Sequence, residues 1–207
     1  MNKTSGQIFN VWTKEELNEI VSVMQDLPII NILGNDCRGI DENHIEYYWF
    51  MSVVFEKISR LFDEEILPVF GMYLHETNPW KIHTDAYHCE KFEDREPAYS
   101  ILIPYSLDND VKNLDKGFTL VFNERLDSNN DIKNLPEVQN NSLNLFEEHL
   151  SHNNKEVLKR VSLQEIYSWT FGSVIFWDSL LLHDSNNFLR YGLKSKQAIV
   201  IHTYRKK

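Results

Sequence analysis

Polar and apolar positions alternate at two different periods along this chain, and the change of period divides it. Near the N-terminus the spacing is helical. Thr13 followed by Glu16 has the form of a capping box. Leu17, Ile20, Val21 and Met24 then fall on one helical face until Pro28 stops the helix. Residues 31–43 are turn-rich, with Gly34 and Gly39. A second capped start at Asn43 and Glu46 leads into Tyr48, Met51, Phe55, Ile58 and Phe62. Their spacing predicts a long helix over about 44–64. After that the period shortens to two. Residues 69–75, 99–105, 117–122, 173–177 and 197–204 read as strands, and Tyr99, Ile101, Ile103 and Tyr105 share one strand face. Helices first and strands afterwards predict one domain over 1–207, with an N-terminal helical buttress (1–66) packed on a mainly β core (68–204). Residues 125–162 are rich in Asn, Asp, Glu and Lys. They read as a polar insertion with short helices around Leu143, Phe146, Leu150 and Val157.

Composition narrows the function classes. The 207 residues suffice for one sizeable core. With 42% apolar and 25% charged residues the chain is globular. Thirty-one acidic against 21 basic residues give a net charge of −10, which argues against a broad nucleic-acid or anionic-membrane footprint. No apolar run reaches the length of a membrane span, and the first residues lack the apolar segment of a signal peptide. Cys37 and Cys89 are the only cysteines, so a reduced, cytoplasmic setting is expected rather than a disulfide framework.

The candidate chemistry lies in His83-Thr84-Asp85 and in His183, a hundred positions later. On an extended backbone, residues i and i+2 point to one side, so His83 and Asp85 can address one ion. His44-Ile45-Glu46 and His88-Cys89-Glu90 have similar spacing, but the first lies at a helix start, where such side chains diverge. Two imidazoles and a carboxylate fill one face of an iron octahedron and leave three adjacent sites open. Asp178 and Asp184, which flank His183, are expected to shape turns and accept second-layer hydrogen bonds.

The segments WKIHTDAYH, YSILIPY, GFTLVF, SVIFWDSLLLHDSNNF and KSKQAIVIHTY, in this order over residues 68–204, resemble the Fe(II)/2-oxoglutarate-dependent dioxygenase superfamily. Its phytanoyl-CoA hydroxylase-like and prolyl hydroxylase-like branches are the nearest in layout. The resemblance implies a double-stranded β-helix, a cupin-like jelly roll. It implies iron ligands at His83, Asp85 and His183, with 2-oxoglutarate and dioxygen as co-substrates and succinate and CO2 as products. An aspartate in the second position separates the chain from related halogenases, which carry a small residue there. The family places a cation near the start of the last strand to pair with the distal carboxylate of 2-oxoglutarate. Lys194 and Lys196 both qualify, and Lys196 is preferred. A lysine is a point charge, so a neighbouring hydroxyl at Tyr99, Tyr73 or Ser100 is expected to complete the site.

Trp80, Tyr87 and Trp177 flank the ligand positions and are candidate pocket walls. Arg95 and Arg190 are candidates for holding an acidic substrate, and Phe188 to Tyr191 for a lid edge. His75 and His202 are expected as core or barrel-face residues, and His149 and His152 as parts of the polar insertion. The function expected is oxidation of a small molecule. The alternatives are a peptide hydroxylase of the same superfamily, a non-catalytic cupin-like metal-binding module, or a zinc hydrolase using the same ligands. Oligomeric state is not legible in the sequence.

Overall fold

The structure, a computed structural model, describes residues 4–86, 94–139 and 142–207. Its core is two facing antiparallel sheets. The chain runs β1 (Ser5–Ile8), α1 (Lys14–Gln25), β2 (Ile30–Ile32), β3 (Asn35–Ile40) and α2 (Tyr47–Phe50). A π-helical turn, Met51–Phe55, joins α2 to α3 (Glu56–Ser59). Next come β4 (Leu67–Glu76), β5 (Arg95–Leu107) and β6 (Phe118–Arg125), then α4 (Leu143–His149) and α5 (Lys155–Leu158). The chain closes with β7 (Leu163–Ser168), β8 (Val174–Asp178), β9 (Leu181–Ser185) and β10 (Lys196–Lys206). Among the described residues the large sheet has the order β1-β8-β5-β10-β4-β3-β2, and the small one β7-β6-β9. No described helix is long and apolar enough to cross a membrane.

Three apolar layers follow from strand alternation. Outward residues of the large sheet, such as Tyr73, Tyr99, Ile101, Ile103, Ile199 and Ile201, pack under the helices with Leu17, Met24, Phe50 and Ile58. Inward residues meet the small sheet: Leu74, Leu102, Ile175 and Val200 against Val121, Tyr167 and Leu181. Behind the small sheet, Phe122, Leu120 and Leu182 are covered by Ile132, Phe146, Leu150 and Leu158. The segment 125–162, polar in composition, therefore contributes a third apolar layer.

Helix α1 has the expected capping box, with Thr13 and Glu16 each satisfying the other's backbone N–H. The segment expected as a helical buttress also carries three strands among its described residues. β1 pairs with β8 at one edge of the large sheet, and the β2–β3 hairpin pairs with β4 near the other. The turn of that hairpin has Leu33 and Gly34 both at positive φ (53° and 83°), the backbone of a type I′ turn. Leucine is an unusual residue there, which hid the hairpin. The second helix is shorter than 44–64. Its π-helical turn changes the buried face to Phe50, Val54, Phe55 and Ile58 and leaves Tyr48 exposed. His183 lies within a further strand, β9, which the expected strands do not include.

At Gly71 in β4, a Cβ would overlap the buried Phe50 ring and press on Ile40 Cγ2 at 3.1 Å. Glycine is what allows α2 to lie this close to the sheet. Gly71→Ala is expected to destabilise the fold by about 1–3 kcal/mol, read as a lower denaturation midpoint at unchanged slope.

Candidate metal centre

His83 and His183 are joined by a single antiparallel bridge. His83 N–H donates to His183 O at 3.2 Å, and His183 N–H donates back to His83 O at 2.9 Å. The 83–85 stretch belongs to no regular strand. Its extended geometry is fixed by anchors. Thr84 points away from the site and its hydroxyl donates to Ser179 O at 2.7 Å. The Thr84 N–H donates to Asn129 Oδ1 at 2.6 Å, and Asp85 N–H to Ser179 O at 3.0 Å. Those anchors turn His83 and Asp85 to the same side.

The three side chains meet. His83 Nε2 is 3.6 Å from Asp85 Oδ1, and His183 Nε2 is 3.3 Å from Asp85 Oδ2. One ligand atom from each lies within 4.8 Å of the others. Adjacent ligands bonded at 2.0–2.2 Å to one ion sit about 3 Å apart, so the donor set fits a single metal. Each imidazole also has its second nitrogen on the carbonyl two residues back: His83 Nδ1 on Lys81 O at 2.7 Å, His183 Nδ1 on Leu181 O at 3.1 Å. Those carbonyls accept the ring N–H and leave Nε2 as a lone pair facing Asp85, the arrangement expected of metal-binding histidines. Burial pushes His183 down to about 3 despite the Asp85 carboxylate beside it, and burial also lowers His202. Both rings are therefore neutral near pH 7. Ser100 donates to Asp85 Oδ2 at 2.6 Å and orients the carboxylate, and His202 Nδ1 lies 3.4 Å from the Ser100 hydroxyl.

The triad opens into a cavity whose empty space, open mouth included, is about 570 Å³. Trp80 and Trp177 form its walls, with ring centroids 5.9 Å from His83 and 4.5 Å from His183. Met72, Leu74, Leu102 and Val200 supply apolar lining, and Glu76, Thr119, Ser185 and Lys196 its polar side. Lys196, on the inner face of β10, is 3% exposed, while Lys194 lies outside the strand and is exposed. Lys196 Nζ donates to Ser185 Oγ at 2.6 Å.

Several expected site residues lie elsewhere. Tyr99 and Tyr73 occupy the outward face of the large sheet. Tyr99 OH donates to Glu64 Oε1 at 2.6 Å, and Tyr73 OH accepts from Gln25 at 3.0 Å, so neither hydroxyl reaches Lys196. Period-two alternation is the reason: Tyr99 and Ser100 cannot share a face. Ser100 does face the cavity side but is engaged with Asp85. Arg95 begins β5 and stacks on Tyr204 at 4.3 Å. Arg190 donates to the carbonyls of Glu147 and Glu148 at the end of α4. Neither arginine lines the cavity. Phe188 is buried beneath Lys196, and Tyr191 OH is 2.6 Å from His149 Nδ1, so this turn is packed against α4. Tyr87, His88 and Cys89 fall outside the described residues.

Asp184 takes the second-layer role expected of it, through partners that its flanking position does not reveal. Asp184, 1% exposed, accepts from Asn153 Nδ2 at 2.6 Å and lies 3.0 Å from His152 Nε2. Asn153 Oδ1 also accepts the Ile82 N–H at 2.9 Å. The 125–162 segment thus braces both sides of the triad, and nothing in its local pattern distinguishes these two residues from their polar neighbours. Glu76 was legible in principle, because Met72, Leu74 and Glu76 alternate onto one face.

No protein-family model and no curated protein sequence matches this chain. Solved structures do match its fold. An oxidoreductase of the 2OG-Fe(II) oxygenase family from Burkholderia pseudomallei aligns over 97% of this chain and 84% of its own, at 11% identity and a TM-score of 0.57. The α-ketoglutarate-dependent epimerase SnoN of nogalamycin biosynthesis aligns over 98% and 78%, at 10% identity and a TM-score of 0.59. A prolyl-4-hydroxylase from Pseudomonas putida aligns over 100% and 95%, at 10% identity and a TM-score of 0.52.

Two measurements check the site. Ser100→Ala, which frees Asp85 to rotate, is expected to weaken divalent-metal binding by roughly 10–100-fold in an anaerobic Fe(II) or Co(II) titration. The lowered histidines give a pH signature. A buried group that stays neutral contributes stability present above its unfolded value of 6.5 and lost as pH falls toward its folded value. The melting temperature of the metal-free protein is therefore expected to fall below about pH 6.5, and less steeply in His202→Gln. The chain has the double-stranded β-helix fold of solved 2OG-Fe(II) oxygenases, with a candidate His-Asp-His metal triad built into it.

Proposed function

We propose that the protein is an Fe(II)- and 2-oxoglutarate-dependent oxygenase that oxidises a small organic substrate. The observation that carries this reading is the convergence of His83, Asp85 and His183 on one side of a cavity whose polar side holds the buried cation Lys196. Three ligands from one side leave adjacent positions for a chelating co-substrate and dioxygen. When bound, the iron and 2-oxoglutarate supply the oxidising power, with release of succinate and CO2.

The residues of this chain do the rest. His83 and His183 hold their Nε2 lone pairs on the metal side because backbone carbonyls accept the opposite N–H groups. Asp85 adds one negative charge and leaves a ferrous centre net positive, which suits an anionic chelator. Lys196 and the Ser185 hydroxyl, 2.6 Å apart, form the anchor for the distal carboxylate. Trp80, Trp177, Met72 and Leu74 shield the reacting side of the cavity from water. A small-molecule substrate accords with this confined, largely apolar lining.

Anaerobic addition of 2-oxoglutarate to the Fe(II)-loaded protein is expected to produce a weak visible charge-transfer band, and oxygen to yield succinate. His83→Ala and Asp85→Ala are expected to reduce succinate release to background. Undiminished release in both variants at matched iron loading, or tight zinc binding with no response to 2-oxoglutarate, would overturn the reading.

A further inference from the structure

Lys196 does not face the cavity alone. It is the direct register partner of Glu76, at adjoining ends of β10 and β4. Both side chains turn inward, and both residues are 3% exposed. Lys196 Nζ lies 2.7 Å from Glu76 Oε2. The rings of Trp169 and Phe188 stand 5.1 and 5.9 Å from the ammonium and exclude water from it. The cation expected to receive a carboxylate therefore already has one.

The surroundings of Glu76 make that carboxylate sensitive to any newcomer. Burial pushes it above the usual range, while Lys196 pulls it down. Asp184, from β9, faces it with the same sign of charge. His83 faces it from the ligand loop, and Cys37 from β3 with a buried thiol that burial raises to about 12. Lys196 is thus the one permanent cation acting on Glu76 among these groups. A second carboxylate brought to Lys196 would leave two carboxylates sharing one ammonium in a desolvated space, and two such groups do not both stay ionised.

Resting on the 2-oxoglutarate reading, we propose that Glu76 is a specificity-determining counterion. It holds Lys196 in the ligand-free protein and takes up one proton when the distal carboxylate of a dicarboxylic 2-oxo acid displaces it. The ammonium keeps its proton and exchanges one carboxylate for another, and the proton comes from solvent. Binding then weakens as pH rises, by roughly tenfold per unit where Glu76 is ionised beforehand. A 2-oxo acid without a distal carboxylate, such as pyruvate, chelates without this cost and without proton uptake.

The test is calorimetric titration of the anaerobic Fe(II)-loaded protein with 2-oxoglutarate and with pyruvate, in buffers of different ionisation enthalpy. The expected result is uptake of about one proton per 2-oxoglutarate and none per pyruvate. In Glu76→Gln, 2-oxoglutarate is expected to bind roughly tenfold tighter at pH 8, with no proton uptake and no pH dependence. Binding of 2-oxoglutarate to the wild type with no proton uptake, or uptake that persists in Glu76→Gln, overturns the role of Glu76 and leaves the oxygenase reading standing. Failure of the iron-loaded wild type and of Glu76→Gln to bind either acid overturns both. If Glu76→Gln does not fold, the wild-type comparison between buffers decides.

Discussion

The reciprocal backbone hydrogen bonds between His83 and His183 hold together residues a hundred positions apart. One bridge, formed between an irregular segment and β9, sets two imidazoles side by side. Thr84 fixes the segment's rotation by binding Ser179 O on its far side, and extended geometry then delivers Asp85 to the same side as His83. The three candidate ligands are therefore placed by backbone geometry rather than by attraction between their side chains. That matters because the side chains do not attract strongly without an ion. The His183 ring, kept neutral by burial, gains little from the Asp85 carboxylate beside it.

The electrostatics of the cavity follow from its dryness. Desolvation keeps His183 and His202 uncharged in spite of Asp85, so the His183 ring is in the state a metal requires. Desolvation also makes the Glu76–Lys196 pair a poor source of stability, since removing two charges from water costs about as much as their attraction returns. A pair retained on those terms at the edge of a cavity is better explained by what the cavity binds than by what the fold needs. Ser185 ties the two systems together: it lies two residues after His183 and accepts from Lys196.

The 125–162 segment links packing to this chemistry. Its apolar residues cover the outer face of the small sheet, while Asn153 and His152 reach past the sheet edge to Asp184, next to His183. Asn153 also holds the backbone just before His83. One segment thus hydrogen-bonds beside both His83 and His183, which ties its packing to the geometry of the candidate triad.

Much of this was legible in the sequence. The capping box and apolar face of α1, the main strands of the core and the His83-Asp85 pairing all depend on local periodicity, and local periodicity survives in the fold. The β2–β3 hairpin escaped because Leu33 takes a backbone conformation that usually needs Gly or Asn. The exposed Tyr48 followed from a π-helical turn that no residue type announces. Which side chains share a face is a matter of local order: alternation alone separates Tyr99 from Ser100 and puts Met72, Leu74 and Glu76 together. Which faces look at each other depends on how the sheets pair and pack. Lys196 meets Glu76 rather than a tyrosine hydroxyl because strand register is fixed by pairing over the whole length of β4 and β10. Asn153 reaches Asp184 because apolar packing of the segment behind the small sheet brings it there. Neither relation is written in any short stretch of residues.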